Sequence, residues 1–353
     1  MLENKLEFDY SNLEAYSGYF LDDEKLKKCS SGGIATAMSE AIINKGGVVF
    51  GAAYSRDFKS AEYYCATTRE DLEKLKGSKY IFTKKEVLIN DKYVPVYPLV
   101  KKYLEEGKMV LFTGLGCDVA GLNTYLTKNK VDTTNLYVVD LICRGPTVAK
   151  VAKDYIERLE KKYYSKVVSF SARYKKNGWT PFYILVKFEN GKTYKEDYYN
   201  SDYGLAFSRY SIPACYQCGF RGENHKSDVT IGDYHGITSQ MKGFNSNGVS
   251  IIITQNKKGK ELLELIDKEQ FKMQKADLEW ALSRNKMYYK HRDKYAKWDK
   301  FDKNFKKHGL HYAVVRDSGI LKYYLRRLSG KMIELEHLPP ILVEVLNKIL
   351  HRQ

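Results

Sequence analysis

This sequence of 353 residues lacks the segments that would place a chain across a membrane. Its longest apolar stretches, such as 48–54 and 109–113, are far shorter than the roughly 20 residues of a membrane-spanning helix. The N-terminal MLENKLEFDY has neither the basic region nor the apolar core of a signal peptide. The sequence therefore predicts a cytoplasmic protein, with a peripheral position at the inner membrane surface as the alternative.

Motifs of the common nucleotide-dependent enzymes and zinc hydrolases are missing as well. The chain has neither a P-loop nor a GxGxxG fingerprint. It has only seven histidines and no HExxH, so nothing in it supports a zinc hydrolase. Hydrophobic residues still make up 43% of the chain, which excludes general disorder and suits one large or two medium domains.

Acidic residues are too few to balance the basic ones, and the net charge is +16. Most of this excess lies in 284–331, which has fifteen Lys and Arg against four Asp. Four aromatic residues recur there at about helical spacing, namely Tyr295, Trp298, Phe301 and Phe305. The pattern favours an amphipathic helix with its aromatics on the protein body and its lysines in solvent. An acidic redox partner or a membrane surface is the alternative, and nucleic acid is disfavoured because no recognised motif accompanies the charge.

Short apolar runs predict buried strands in the first half of the chain. Such runs occupy 48–54, 109–114 and 136–143, and helical patterns alternate with them. This order predicts an α/β fold with a mostly parallel N-terminal sheet and helices. Residues 2–28 are polar and rich in tyrosine, show no clean period, and are interpreted as an irregular lead-in.

The pattern changes after Lys166 to alternating apolar and polar residues, with a strong hairpin signal at Asn190-Gly191. The middle section is therefore predicted to be a mixed or antiparallel α+β region. From about Arg284 we expect a helical C-terminal tail, broken at Pro339-Pro340 before a last amphipathic helix.

The six cysteines do not suggest a disulfide framework in a chain of this kind. Cys117 and Cys143 follow or end predicted buried strands, and loops after strand ends converge on the ligand crevice of an open α/β sheet. Cys215 and Cys218 form CYQC, a spacing with which two thiolates grip one metal or cluster. The four together suit an iron–sulfur cluster or zinc, and the residues alone leave both open. Cys65 is interpreted as a small buried hydrophobe.

Three short segments rich in small residues are candidates for holding the phosphates of a cofactor. SSGG at 30–33 precedes a predicted helix, whose N-terminal N–H groups attract anions. KGSKYIF at 76–82 and TGLG at 113–116 are similar segments. Helix capping and close packing explain SSGG equally well.

The order of these motifs resembles the coenzyme F-420 hydrogenase/dehydrogenase beta-subunit family. SSGG, GSKY, FTGLGCDVAGL, VVDLICRG, CYQCGFRG and SDVTIGDYHGI follow one another as in that family. The resemblance covers about residues 15–260 and extends more loosely to about residue 310. Members are flavoproteins with an iron–sulfur centre, so the resemblance implies FAD, a 4Fe–4S cluster and electron transfer with a reduced carrier.

The resemblance also implies roles for individual residues. The implied ligands of one 4Fe–4S cluster are Cys117, Cys143, Cys215 and Cys218. The implied flavin-site candidates are Ser30, Ser31, Gly32, Gly33, Ser78, Lys79, Tyr80, Thr113 and Gly114. Asp233 in the IGDYHG loop is a candidate for orienting groups near the cofactor, and a turn carboxylate that caps backbone N–H groups explains it equally well.

On this basis the chain is predicted to have three parts. Residues 1–110 form a flavin-binding α/β region, 111–275 the cluster-binding domain, and 276–353 a basic helical tail. Many family members carry an N-terminal ferredoxin-like segment that these residues lack. We therefore expect a separate electron carrier, either a ferredoxin-like protein or a reduced deazaflavin.

Two further departures from the family pattern concern single residues. Cys29 stands where serine is common and is interpreted as a solvated substitution. TGLGCD replaces the commoner TGTPCQ, and the missing proline would loosen the loop that carries Cys117.

The expected function is that of an enzyme, a flavin- and iron–sulfur-dependent oxidoreductase. Compact members of the family occur with bacterial surface-polysaccharide synthesis, and the resemblance does not establish coenzyme F-420 as the substrate. The alternative is a structural-zinc or cofactor-free binding module that docks on an acidic partner, a membrane surface or nucleic acid.

Overall fold

The computed structural model describes residues 8–334, with side chains described as far as Arg327. These residues form a large mixed sheet, a small antiparallel sheet and a C-terminal helical region. None of the described helices combines the length and the apolar character needed to cross a bilayer. The predicted break at Pro339-Pro340 and the last amphipathic helix lie outside the described residues.

The elements alternate along the chain in the manner of an α/β protein. The strands are β1 (Glu14–Phe20), β2 (Val48–Tyr54), β3 (Ala61–Ala66), β4 (Thr83–Ile89), β5 (Lys92–Pro95), β6 (Val110–Gly114), β7 (Leu136–Leu141), β8 (Val167–Tyr174), β9 (Tyr183–Phe188), β10 (Thr193–Asp197), β11 (Val229–Asp233), β12 (Ser250–Thr254) and β13 (Phe271–Lys275). The α-helices are α1 (Asp23–Lys28), α2 (Ile34–Asn44), α3 (Leu72–Leu75), α4 (Val96–Glu105), α5 (Gly116–Lys128), α6 (Ala149–Tyr163), α7 (Asp202–Arg209), α8 (Lys257–Glu264), α9 (Leu278–Arg284), α10 (Trp298–His308), α11 (Leu310–Ser318) and α12 (Ile320–Glu334).

Ten strands form one sheet in the order β13-β1-β12-β11-β7-β6-β2-β3-β4-β5. The central strands β11, β7, β6 and β2 run parallel, and antiparallel neighbours flank them. The apolar runs that predicted β2, β6 and β7 lie at the centre of the sheet, where both faces of a strand are covered. The predicted α/β fold is confirmed.

The irregular lead-in expected for residues 2–28 is wrong in its second half. Glu14–Phe20 forms β1, which pairs with β12 on one side and β13 on the other. Its buried positions include the small residues Ala15 and Ser17, while Tyr16 and Tyr19 are half-buried. Because small residues are buried and large tyrosines are half-buried, the alternation of apolar and polar residues that marks a strand is not visible in the sequence.

One edge of the large sheet gathers strand ends from distant parts of the chain. The strands β1, β11, β7, β6 and β2 end at this edge, and β12, β3 and β4 begin there. The strand pairing shows that these ends are neighbours, because Gly18 and Asp233 both lie opposite Ser250, and Gly114 lies opposite Asp140. We call this the strand-end edge. Ligands of open α/β sheets bind in crevices at such edges.

The starts of two helices determine how residues near the strand-end edge are held. α5 begins at Gly116, so Cys117 lies in the first helical turn and not in a loop after β6. α6 begins only at Ala149, because Thr147 first pairs with the chain beside Tyr80. The predicted division at residue 110 stays a prediction, and strands from both sides of it share the large sheet.

The basic tail packs on the small sheet β10-β9-β8, which contains the predicted hairpin at Asn190-Gly191. Phe301 and Phe305 of α10 are each 1% exposed and join one apolar core with residues of β8 and β9. Trp298 stacks on Tyr210 with ring centres 5.3 Å apart. The predicted packing of the tail aromatics on the protein body is confirmed.

Candidate functional site

The strand-end edge brings candidate ligand cysteines together. Cys143 follows β7, and its Sγ accepts a hydrogen bond from the backbone N–H of Gly145 at 3.2 Å. Gly145 has a φ of 95°, and a Cβ built on it would lie 3.3 Å from the Sγ of Cys215. Cys215 lies in a 3₁₀ turn at Pro213–Gln217 that ends at Cys218. The CYQC loop is therefore seated beside the end of β7.

The four thiols are close enough for their charges to interact. Burial raises the pKa of the Cys143 thiol to about 12, and Cys215 and Cys218 act in the same direction. Partial desolvation of the sulfur, followed by the Asp118 carboxylate, raises the pKa of Cys117 above its usual value, although the residue as a whole is exposed. Cys143 and Cys218 also raise it. These interactions link Cys117 on α5 to the cysteines of the two other segments.

All six cysteines are free thiols in the described residues. Cys117 is exposed, whereas Cys143, Cys215 and Cys218 are half-buried. Within the described part of the chain, no three His, Cys, Asp or Glu side chains lie close enough together to hold a single metal ion. A site at this edge would therefore need ligands that are more widely spaced than those of one ion.

The other two cysteines lie in the packed interior. Cys29 is 4% exposed and its Sγ donates to the carbonyl oxygen of Lys25 at 3.3 Å, so its interpretation as a solvated substitution is wrong. Burial raises the pKa of the Cys29 thiol. Cys65 on β3 is half-buried against the core, and burial raises the pKa of its thiol to about 11.

Two of the predicted flavin loops share a hydrogen bond at the strand-end edge. Ser78 Oγ donates to Ser30 Oγ at 3.1 Å, and the Tyr80 hydroxyl bonds to Ser78. Tyr80 has a φ of 60°, in the left-handed region that residues other than glycine rarely adopt. Burial raises the pKa of Tyr80 to about 12, so its phenol stays neutral at physiological pH.

The other three residues of SSGG pack closely against neighbouring segments of the chain. Ser31 Oγ donates to the carbonyl oxygen of Val249 at 2.8 Å. A Cβ on Gly32 would collide with the carbonyl oxygen of Gly18, so only glycine allows this approach to β1. Gly33 is the N-cap residue of α2. These contacts fit the packing interpretation, and a flavin role for the three residues stays a prediction.

Lys79 ends among carbonyl groups at the C-terminal end of α3. Its Nζ donates to the carbonyl oxygens of Leu75, Lys76 and Gly77 at 2.9, 2.9 and 3.0 Å. Burial lowers the pKa of this amine to about 7. In this position Lys79 caps a helix, and contact with a phosphate would require it to give up these bonds.

Thr113 and Gly114 end β6, with Gly114 opposite Asp140 on β7. The Oγ1 of Thr113 is buried and has no hydrogen-bond partner within residues 8–327. A buried hydroxyl without a partner is costly, so such atoms often mark the place of a group that binds there. Thr113 is therefore the predicted flavin-site residue with the clearest unmet hydrogen-bonding capacity.

Asp233 ends β11, and its carboxylate pairs with a guanidinium that the sequence analysis missed. Arg173 Nη1 lies 2.7 Å from Asp233 Oδ2, and the guanidinium lies over the Phe182 ring, 4.5 Å from its centre. Burial alone would lower the pKa of Arg173, but Asp233 and Tyr80 outweigh burial and raise it. Asp233 is thus an ion-pair partner within the described residues, and it holds a fixed cation near Tyr80.

A second missed cation lies two residues further along the chain. Lys175 is buried, and its Nζ donates to the carbonyl oxygens of Leu26 and Ser31 at 3.0 and 2.8 Å. Burial lowers its pKa to about 8. The available sequence signal was two cations, Arg173 and Lys175, with alternate spacing at the end of the predicted strand β8.

An open α/β sheet with thiols, hydroxyls and buried cations along one edge is typical of α/β proteins that bind a ligand at the ends of their strands. Family models then identify the family. The model of the coenzyme F420 hydrogenase/dehydrogenase beta subunit N-terminus matches residues 15–89, and that of the C-terminus matches residues 107–279. The chain belongs to this family, as the motifs predicted. The family gives it an oxidoreductase role in electron transfer.

Solved structures show the same fold. A chain in a xenon-derivatised structure of the F420-reducing NiFe hydrogenase complex from Methanosarcina barkeri matches with a TM-score of 0.51 and 19% identity. The match covers 81% of this chain and 93% of that chain. No curated protein sequence matches this chain.

Proposed function

We propose that this protein is an oxidoreductase that passes electrons between a reduced carrier, FAD and a 4Fe–4S cluster. The observation that carries the proposal is the meeting of four free thiols from three separate segments at the strand-end edge. The predicted flavin loops open onto the same edge.

The donor set fits a four-iron cluster better than one zinc ion. A single zinc draws its thiolates to about 2.3 Å from one centre, which requires sulfurs in near contact. A 4Fe–4S cluster gives each thiolate its own iron and accepts a wider spacing. The four cysteines interact without forming a single-ion site in the described residues. In this proposal Cys117, Cys143, Cys215 and Cys218 hold the cluster, and the Gly145 N–H already donates to one ligand sulfur.

The residues for FAD are those with free capacity at the same edge. Ser30, Ser78 and Tyr80 form a connected set of hydroxyls, and Thr113 adds a buried hydroxyl without a partner in the described chain. Arg173 supplies a fixed positive charge that Asp233 orients. A bound flavin accepts a hydride and releases electrons singly, which an iron–sulfur centre matches. The chain holds and orients these groups and keeps water from them.

A separate electron carrier is part of the proposal, and the surface at Cys117 suits one. Cys117 is the exposed member of the four, and Phe82 and Phe220 beside it are 40% and 38% exposed. Lys85 Nζ lies 4.3 Å from the Phe82 ring centre, and Gly116 abuts Phe220. Exposed aromatics favour contact with a partner protein, while Lys85 is already paired with Asp118 at 2.7 Å.

The basic tail supports a second contact, with an anionic membrane surface. Ile320, Leu321 and Tyr324 of α12 are 55%, 74% and 51% exposed within the region that holds most of the excess positive charge. Apolar side chains among lysines and arginines are typical of helices that lie on lipid surfaces. The cytoplasmic location and the setting in surface-polysaccharide synthesis stay predictions from the sequence.

Metal and flavin analysis of anaerobically prepared protein tests the proposal. We expect a brown protein with a flavin spectrum and about four irons per chain. Cys215→Ser should lower the iron content strongly, whereas the matched variant Cys65→Ser should leave it unchanged. Colourless protein with stoichiometric zinc would support the structural-zinc module instead, and folded protein without metal or flavin would support a cofactor-free binding module.

A further inference from the structure

A buried aspartate–histidine pair lies beside Gly116, the residue that precedes the candidate ligand Cys117. Asp140 on β7 is fully buried, and its Oδ2 lies 2.6 Å from Nδ1 of His225. The His225 side chain is 4% exposed, and its ring stacks on Tyr288 with ring centres 4.4 Å apart. The two residues are 85 positions apart, so the contact depends on the fold.

Both ring nitrogens of His225 have oxygen neighbours. Nδ1 lies 2.6 Å from the Asp140 carboxyl, with the Thr230 hydroxyl at 3.4 Å, and Nε2 faces the carbonyl oxygen of Tyr288 at 3.2 Å. A carbonyl oxygen only accepts hydrogen bonds, so Nε2 donates to it, and a proton lies between Nδ1 and Asp140.

The carboxylate of this pair lies where the ligand-bearing segments meet. A Cβ on Gly116, the residue before Cys117, would lie 3.3 Å from Asp140 Oδ2 and 3.2 Å from Cβ of Phe220. Phe220 follows Cys218 by two positions, and Asp140 precedes Cys143 by three. The other oxygen, Asp140 Oδ1, is buried and has no hydrogen-bond partner in the described residues.

We propose that Asp140 and His225 form a buried ion pair and are positioning residues whose opposite charges set the reduction potential of a cluster held by these cysteines. The inference rests on the proposed function. Uptake of one electron adds negative charge beside the pair, in surroundings where water screens little. A nearby imidazolium favours that uptake and a nearby carboxylate opposes it. The difference between these two opposing effects therefore sets the reduction potential. The hydrogen bond of the pair also joins β7 to the segment that follows the CYQC loop.

The test is a redox titration with dithionite, followed by electron paramagnetic resonance, on the full chain with its cluster. Asp140→Asn removes the negative charge and should raise the potential, and His225→Gln removes the positive charge and should lower it. The double variant should return the potential towards that of the natural protein. A second aspartate–histidine pair, Asp202 and His311 with Oδ2 and Nδ1 2.9 Å apart and the His311 side chain 40% exposed, provides the control. Asp202→Asn should leave the potential unchanged.

Iron content measured on the same samples distinguishes failure of the proposed function from failure of the inference about Asp140 and His225. If the natural protein holds no iron, the proposed function fails and the inference fails with it. If iron is present and Asp140→Asn leaves both iron content and potential unchanged, only the inference is overturned. Shifts of the same sign in the two single variants overturn it too. If Asp140→Asn loses iron, retention of iron in Asp140→Glu supports the pair, and loss from both variants overturns the role of its charge.

Discussion

The described residues contain two aspartate–histidine pairs in which the carboxylate is fully buried, and the surroundings of the two pairs differ. Asp202 at the start of α7 also accepts from the Tyr323 hydroxyl at 2.6 Å and pairs with Arg158 at 3.0 Å. Its carboxylate is fully satisfied. Asp140 has His225 alone among the described residues, and one of its oxygens is unpartnered. Structural networks satisfy their polar groups, whereas functional sites leave some polar groups without a partner. The comparison therefore distinguishes a structural network around Asp202, which we call the clasp, from a candidate functional site around Asp140.

The clasp, formed by Glu196, Asp202, Arg158, His311, Tyr323 and Arg327, fixes the basic tail to the protein body. Arg327 of α12 pairs with Glu196 of β10, and Tyr323 and His311 bind Asp202. The tail is thus held by buried charges in addition to its apolar aromatics. The strand-end edge has no comparable set of mutual bonds among its four thiols.

The largest expected effect is on the clasp. Asp202→Ala leaves Arg158 and His311 without their carboxylate, and because their side chains are 34% and 40% exposed and can be hydrated, the loss should be about 1–3 kcal/mol. Chemical denaturation should show this loss in the free energy of unfolding. Iron per chain in the folded fraction should be unchanged, and a parallel loss of iron would contradict the separation of the two regions.

Acid should weaken the clasp in a defined direction. Burial alone would raise the pKa of Asp202, but its bonds to His311, Arg158 and Tyr323 outweigh burial and lower it. The carboxylate therefore stabilises the fold above the unfolded-state value of about 3.9, and this contribution is lost as pH falls below it, by about 1.4 kcal/mol for each unit of pKa difference. The free energy of unfolding should fall less steeply below pH 4 in Asp202→Asn. Equal slopes would show that Asp202 is not the group responsible.

Thr113→Val tests the other region of the comparison, the candidate flavin site at the strand-end edge. Because Thr113 Oγ1 has no partner in the described residues, its loss should change the free energy of unfolding by no more than about 1 kcal/mol. Flavin occupancy of purified protein should nevertheless fall. Thr124→Val on the exposed face of α5 is the matched control. Equal flavin content in both variants would remove Thr113 from the flavin site.

The smallest effect on stability is expected at the exposed end of the tail. Leu321→Ser replaces a side chain that is 74% exposed and should change the free energy of unfolding by less than about 0.5 kcal/mol. Sedimentation with vesicles of anionic phospholipid should show weaker binding than for the natural chain. Undiminished binding would mean that α12 does not make the membrane contact.

The sequence predicted those parts of the fold in which one local pattern decides the structure. The apolar run 48–54 became β2, and Asn190-Gly191 became a hairpin turn, because each signal lies within a few residues. β1 was missed because Ser17 lies inside and Tyr16 at the margin. Strand β1 is specified by its partners β12 and β13, which come more than 200 residues later.

The sequence predicted which motifs contribute to the candidate site, but not which side chains contact one another there. The spacing of CYQC and its resemblance to a family identified the cysteines, yet nothing local indicated that Lys79 would cap α3. Arg173 and Asp233 are 60 positions apart, and only the fold brings the cation to the carboxylate. Long-range ion pairs of this kind carry no local pattern, so their roles could be assigned only after the sheet order was known.

The most direct test of the account is the Mössbauer spectrum of anaerobically prepared, iron-57-labelled protein, recorded beside that of Cys143→Ser. The account predicts one 4Fe–4S centre in the natural chain, with about four irons, and its loss in the variant while the fold remains. Absence of a four-iron centre from the natural chain, or an undiminished centre in Cys143→Ser, would contradict the assignment of the strand-end edge as an electron-transfer site.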